Sequence, residues 1–197
     1  MGKPLFVLAS KSPRRKELLK NIGIKAEIIP ANVDESSLST LPPDKMVTQL
    51  ALLKASDVAR SFGGNTYVIA ADTIVVLDGK VFGKPHDIED AKRMLRALSS
   101  NTHSVYTGYC VIRCKDGTAV AKYEKTEVTF RALSEHEIDA YVKTREPMDK
   151  AGAYGIQEKG SIFIEKISGD YFNVVGLPVC ALSRLLNEEF GINVLKD

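Results

Sequence analysis

The sequence predicts a mixed α/β fold whose sheet is partly antiparallel, and three observations lead there. Runs rich in β-branched residues, TYVIAADTIVVL above all, alternate along the chain with stretches of helical periodicity. Two Asp-Gly dipeptides, Asp78-Gly79 and Asp116-Gly117, each sit between strand-like runs, where they signal tight hairpins rather than the helical crossovers of a purely parallel sheet. The length, 197 residues, suffices for one large domain with a filled core or at most two small ones. No internal repeat, low-complexity tract or long linker divides it.

Taken in order, residues 4–9 read as a buried strand. Ser12 followed by Pro13 starts a helix, because proline's fixed φ and missing N–H suit the first helical position. That helix should run through KELLKNI and stop at Gly23. KAEIIP follows as a short strand and SSLSTLPP as a loop. From about Pro43, Met46, Val47, Leu50 and Leu53 recur at helical spacing as far as the pair Gly63 and Gly64. TYVIAADTIVVL then turns through Asp78-Gly79 into KVF. Asp87 and Asp90 open a helix through AKRMLRALS, and HSVYTGYCVIRC pairs with AVAKYEKTEVTF across Asp116-Gly117. Ser134 and Glu137 have the spacing of a capping box and start the helix EHEIDAYVKT. After a glycine-rich turn, SIFIEKI and YFNVVG read as two further strands, and an amphipathic helix follows Pro178.

Composition narrows the classes of function. Hydrophobic content of 44% with 26% charged residues is that of an ordinary globular protein. A formal charge of +2 gives no support to a nucleic-acid binder, whose basic face is usually denser. Cys110, Cys114 and Cys180 are too few and too irregular for a disulfide framework, and no Cys/His grouping has zinc-finger spacing. A reducing cytoplasm is the simplest setting. MGKPLFVLAS has too short an apolar stretch for a signal peptide, and no apolar run approaches the ~20 residues that span a bilayer. The expectation is a soluble, cytoplasmic protein with no membrane partner.

The stretch VLASKSPRR raises the first chemical question, since a buried strand runs straight into dense positive charge. The first N–H groups of a helix lack intrahelical partners and the dipole is positive there, so a strand leading into a helix start is a ready anion site. Ser10 and Ser12 add hydroxyls, while Arg14 and Arg15 add charge that is unfavourable at a helix N-terminus unless an anion compensates. The pattern suits phosphate; the alternative is a solvated basic helix end. It is not a P-loop, since GxxxxGK[ST] is absent.

Asp72 shares its strand face with Val68, Ala70, Ile74 and Val76, where an ionised carboxylate is costly without a cation or hydrogen-bond donors. A bound metal, a substrate, a catalytic water or a turn cap would each account for it. Lys54 falls on the apolar stripe of its helix, where it either snorkels to water or serves a site. Lys84, between Gly83 and Pro85, is held in a stiff loop as a phosphate contact would be, or is an ordinary surface lysine. Asp34 and Glu35 could offer carboxylate to a divalent cation or merely make a polar loop. His86, His103 and His136 have no spacing of a metal site or relay and read as structural or surface residues. No serine–histidine triad or dinucleotide fingerprint is present.

Together, LASKSPRRKELL, NVDES, LLKAS, AADTIV, GKP, DKAGAYGIQ and DYFNVVGLP, in this order and spacing, resemble the Maf family of nucleoside triphosphate pyrophosphatases. The resemblance extends from Leu5 to about Leu186 and makes residues 1–197 a single domain. It implies a long twisted mixed sheet with flanking helices, two lobes around a cleft, and a fold related to that of inosine triphosphate pyrophosphatases. It also implies hydrolysis of a nucleoside triphosphate to monophosphate and diphosphate with a divalent cation, Mg²⁺ or Mn²⁺, as a housecleaning of the nucleotide pool.

By motif, the resemblance puts phosphate binding on Ser10, Arg14, Arg15, Lys54 and Lys84. Glu35 and Asp72 become the metal carboxylates, with Asp72 also the proton acceptor. DKAGAYGIQ resembles the branch acting on dTTP and UTP, with modified uridine triphosphates as further candidates. There the base-selecting positions fall on Arg14, Thr73 and Gln157, and a glutamine amide can match O4 and N3–H of thymine or uracil. Maf proteins are also associated with inhibition of septum formation, so a division regulator acting through protein contacts is the alternative. Nucleic-acid binding through the Ser10–Arg15 turn lacks aromatic platforms. A homodimer is left open.

Overall fold

The computed structural model describes residues 3–196 of the chain. Its strands are β1 (Leu5–Leu8), β2 (Ala26–Ile28), β3 (Thr66–Leu77), β4 (Lys80–Phe82), β5 (Thr102–Arg113), β6 (Thr118–Phe130) and β7 (Ile164–Ser168). Its helices are α1 (Pro13–Asn21), α2 (Pro43–Ala59), α3 (Ile88–Leu98), α4 (Glu135–Lys143), α5 (Tyr171–Val175) and α6 (Val179–Phe190). The strands form a seven-stranded sheet in the order β2-β1-β3-β5-β6-β7, with β4 paired to β3. The expected mixed sheet is therefore present: β1 pairs β2 and β3 in parallel, while β3–β4 and β6–β7 are antiparallel.

The chain clusters into two compact units. The first takes in the chain up to Asp72, then Thr107–Glu124 and the chain from Gly176. Its core joins Val7 and Ala9 of the opening strand to Val68 and Ala70 of β3, Cys110 and Ile112 of β5, and Ala51, Ala55 and Val58 of α2. α2 lies unusually close to the sheet: a Cβ on Gly108 would stand 2.1 Å from the Val47 carbonyl oxygen, so only glycine fits in β5 at that point. Ser12 caps α1 as expected, its hydroxyl accepting from the Arg15 N–H at 3.4 Å.

The second unit comprises Thr73–Tyr106 and Lys125–Val175. α3 and α4 supply Leu95, Leu98, Ile138 and Tyr141 to a core with Phe82, Phe130, Tyr154 and Phe163. The capping box of α4 forms, with Ser134 and Glu137 satisfying each other's backbone N–H groups. Asp78 and Gly79 both take positive φ, 50° and 73°, as the hairpin between β3 and β4 requires.

Two expectations change. YFNVVG is not a strand but the short helix α5, because Asp170 accepts from the Phe172 N–H at 2.8 Å and begins a helical turn. Its Asn173 is fully buried and donates to the Val105 carbonyl and the Thr126 hydroxyl at 3.0 and 2.9 Å. SIFIEKI is strand only from Ile164, its first three residues ending a 3₁₀ turn at Lys159–Phe163. That strand pairs with β6.

His103 at the start of β5 is structural, as its sequence context suggests. It is 1% exposed, its Nε2 lies 2.8 Å from the Tyr154 hydroxyl, and its ring meets Phe130 and Tyr154 edge to face. Burial pushes its pKa from 6.5 to about 4, with the Glu127 charge opposing. The unfolded chain thus binds a proton that the native state refuses. Stability present above pH 6.5 is lost as pH falls toward 4. Between pH 7.5 and 4.5 the protein should lose roughly 2–3 kcal/mol more than His103→Gln in urea unfolding. Parallel pH profiles for the two proteins would contradict this origin.

Candidate active site

One cluster in the first unit accounts for most of the residues singled out. β3 is a buried strand, and Asp72 lies among Val68, Ala70, Ile74 and Val76, which are 0, 0, 4 and 9% exposed. Its carboxylate is answered by Lys54 of α2, whose Nζ stands 2.5 Å from Asp72 Oδ1 and 2.9 Å from Glu35 Oε1. The Lys54 and Asp72 side chains are 15 and 13% exposed, whereas Glu35 is 52% exposed, at the entrance of a 3₁₀ turn (Ser36–Leu38). One ammonium thus bridges two carboxylates from separate segments.

The turn after β1 is organised around Ser10. Its hydroxyl oxygen accepts from the Ser12 N–H at 3.1 Å and from Arg15 Nη1 at 3.2 Å. A hydroxyl has two acceptor sites and one donor, so these bonds leave the Ser10 hydrogen for an incoming acceptor. Arg15 is further fixed by Nε donating to the Gly176 carbonyl at 2.8 Å. Burial pushes the Arg15 pKa down, Asp72 and Glu35 raise it, and neighbouring Arg14 lowers it. The guanidinium therefore senses both carboxylates and a second cation. No acidic residue stands in the first turn of α1, so its N-terminal charge is not offset by the helix itself.

Asp34 precedes Glu35 in the same loop. Its carboxylate accepts from the Ser36 N–H at 2.9 Å, and these bonds to Ser36 lower its pKa. Of the pair, Glu35 alone reaches Lys54. Among the described residues no group of three or more His, Cys, Asp or Glu could hold a metal ion. Two carboxylate oxygens on one ammonium still suit a hard cation that takes its remaining ligands from phosphate and water.

The other singled-out residues belong to the second unit. Thr73 follows Asp72 in β3 and is partly buried. Lys84 is exposed beside a buried Pro85, in a loop fixed by the Gly152 N–H donating to the Gly83 carbonyl at 3.0 Å. Gln157 is exposed beyond a buried Ile156, in the segment between two 3₁₀ turns, Ala151–Ala153 and Lys159–Phe163. Sequence reasoning passed over the residues beneath it, Tyr141, Glu146 and Lys150. A signal existed in Gly155 and Gly160, whose close spacing marks backbone approaching something tightly.

Removing the shared cation tests the cluster. Lys54→Met leaves two facing carboxylates and should cost ~1–3 kcal/mol in urea unfolding at neutral pH, less than for a wholly buried pair because water reaches Glu35. Asp72→Asn in that background should recover most of the loss. If Lys54→Met costs the same in the unaltered protein and in the Asp72→Asn variant, the pair is not coupled.

A family model described as Maf-like protein matches residues 5–189. A dTTP/UTP pyrophosphatase of Acetivibrio thermocellus is 52% identical over 97% of this chain and 98% of its own length. Those of Bacillus cereus and Alkaliphilus metalliredigens are 52 and 48% identical, each over 96% of this chain and 97 and 98% of their own. The solved structure of the Staphylococcus aureus Ham1 protein aligns with TM-score 0.53 and 17% identity, covering 93% of this chain and 98% of that one, and shares the fold. A family match reaching nearly from end to end, with relatives about half identical over their full lengths, shows that this chain belongs to the Maf family.

Proposed function

We propose that the protein hydrolyses dTTP and UTP, with modified uridine triphosphates as further substrates, to the nucleoside monophosphate and diphosphate. The observation that carries this is the cluster in the first unit, where a phosphate-suited turn and a lysine-bridged carboxylate pair sense each other's charge. The relatives' names are enzyme names for these two nucleotides, which favours hydrolysis over the division-regulator alternative. No helix among the described residues is long and apolar enough to cross a membrane, and three free cysteines suit a reducing cytoplasm.

Each residue then has a part. The N–H groups opening α1, the Ser10 hydroxyl, Arg14, Arg15 and Lys84 hold phosphate oxygens. Lys54, which in the ligand-free protein bridges Asp72 and Glu35, turns to the arriving polyphosphate and frees Asp72. Asp72 takes a proton from water as the water oxygen bonds to the α-phosphorus and the bond to the bridging oxygen breaks, so that diphosphate leaves. A divalent cation held by Glu35 and Asp72, with phosphate oxygens completing its shell, would neutralise the growing charge. Arg14, Thr73 and Gln157 select the base.

Chromatography of early products decides the reaction. With Mg²⁺ or Mn²⁺, UTP should give UMP and diphosphate, and Asp72→Asn should slow turnover by about two orders of magnitude or more in a folded protein. Phosphate with UDP as first products would overturn the cleavage site.

Gln157 tests the base reading. Gln157→Glu replaces an amide donor by an acceptor against O4 of the pyrimidine, and an unpaired or repelled buried group costs ~1–3 kcal/mol. kcat/KM should fall about tenfold or more for UTP and dTTP and hold or rise for CTP, whose N4 is a donor. An unchanged UTP/CTP ratio would remove Gln157 from base selection.

A further inference from the structure

The structure assigns Glu146 as a positioning residue for substrate selection: with Tyr141 it clasps both feet of the loop that carries Gln157. Glu146 opens the 3₁₀ turn Glu146–Asp149, just after Arg145 in the left-handed region at φ 66°. Its Oε1 accepts from the Tyr141 hydroxyl at 2.7 Å and from the Gly160 N–H at 3.0 Å, and its Oε2 accepts from the Lys159 N–H at 3.2 Å. The Tyr141 oxygen in turn accepts from the Gly155 N–H at 3.1 Å. Gln157 therefore lies between two anchored points, Gly155 on one side and Lys159 with Gly160 on the other. One carboxylate and one phenol hold both.

Three further observations show that this arrangement is built. Lys150, only 7% exposed, donates to the Glu146 carbonyl and the Asp149 carboxylate at 2.8 and 2.9 Å and pairs with Glu158 at 3.4 Å, next to Gln157 in sequence. Gly155 and Gly160 are glycines because the clasp leaves no room. A Cβ on Gly155 would stand 2.7 Å from Lys150 Cε, and one on Gly160 2.6 Å from the Tyr141 oxygen. Burial, and then Glu146, push the Tyr141 pKa up, so the hydroxyl remains a donor to the carboxylate. Hydrogen bonds to a charged acceptor are the stronger kind, and here three donors converge on one.

Fixing the loop matters because Gln157 is exposed, while recognition by an amide requires a set geometry. Glu146 touches no substrate in this account; it acts through the backbone under Gln157. The inference rests on the reading of Gln157 as base selector, and its test separates the two.

Glu146→Gln keeps size but loses charge and one acceptor, and Tyr141→Phe keeps the ring that meets Phe163 edge to face at 4.9 Å while removing the Gly155 tether. In the ligand-free protein, amide exchange at Lys159 and Gly160 in the first variant, and at Gly155 in the second, should quicken about tenfold or more while α3 amides keep their protection. The UTP/CTP ratio of kcat/KM should fall about three- to tenfold in each, and Glu146→Gln should change it no further in a Gln157→Ala background. Unchanged exchange in both variants overturns the clasp. Faster exchange with an unaltered ratio, where Gln157→Glu does shift it, overturns positioning. If Gln157→Glu also leaves the ratio alone, the base reading has failed and the positioning role falls with it.

Discussion

The charge balance between Asp72, Lys54 and Glu35 is the constraint on which the first unit depends. A carboxylate on a face lined by Val68 and Ala70 is costly without compensation, and the compensation comes from a lysine on a helix. Such an arrangement rarely maximises stability, because desolvating both charges offsets much of their attraction. It is retained more reasonably for what it holds ready. Glu35, half in water, gives Lys54 a second partner.

The turn after β1 complements this with a second cation held by two hydrogen bonds. Arg15 is pinned at Nε by the Gly176 carbonyl and at Nη1 by Ser10, so its planar fork is oriented before any ligand arrives. Preorganised cations are what the proposed polyphosphate site would need, since charge aligned in advance costs nothing to reorganise during reaction. The anchoring residue, Gly176, is distant in sequence and contributes only its backbone carbonyl.

Local signals in the sequence hold where the physics is local. Ser12-Pro13, the Ser134–Glu137 box and the two Asp-Gly turns depend on neighbours within four residues, and the structure contains each. The apolar alternation of YFNVVG fits a strand and a short helix equally, and the choice falls to the Asp170 cap and to the buried Asn173 amide finding partners in β5 and β6. For the site, the oddity of a carboxylate at Asp72 and of Lys54 on an apolar stripe is legible, but their pairing is not. Spacing says which face a residue occupies, not what stands opposite. Glu146 is invisible for the same reason, its partners being backbone N–H groups of no particular sequence.

The depth of α2 ties these levels together. Val47, Leu50, Ala51, Ala55 and Val58 form its buried face, and Lys54 lies seven residues beyond Val47, two helical turns along the same side. Small residues at Ala51 and Ala55 and the missing side chain at Gly108 let the helix backbone approach β5 more closely than side chains would allow. A lysine on a helix held further out would send its ammonium to water, as surface lysines do. Brought down onto the sheet, the same side chain has little solvent left and meets Asp72 instead. The glycine in β5 and the alanines of α2 are thus part of why Lys54 binds a carboxylate, although none of them lies at the charge itself.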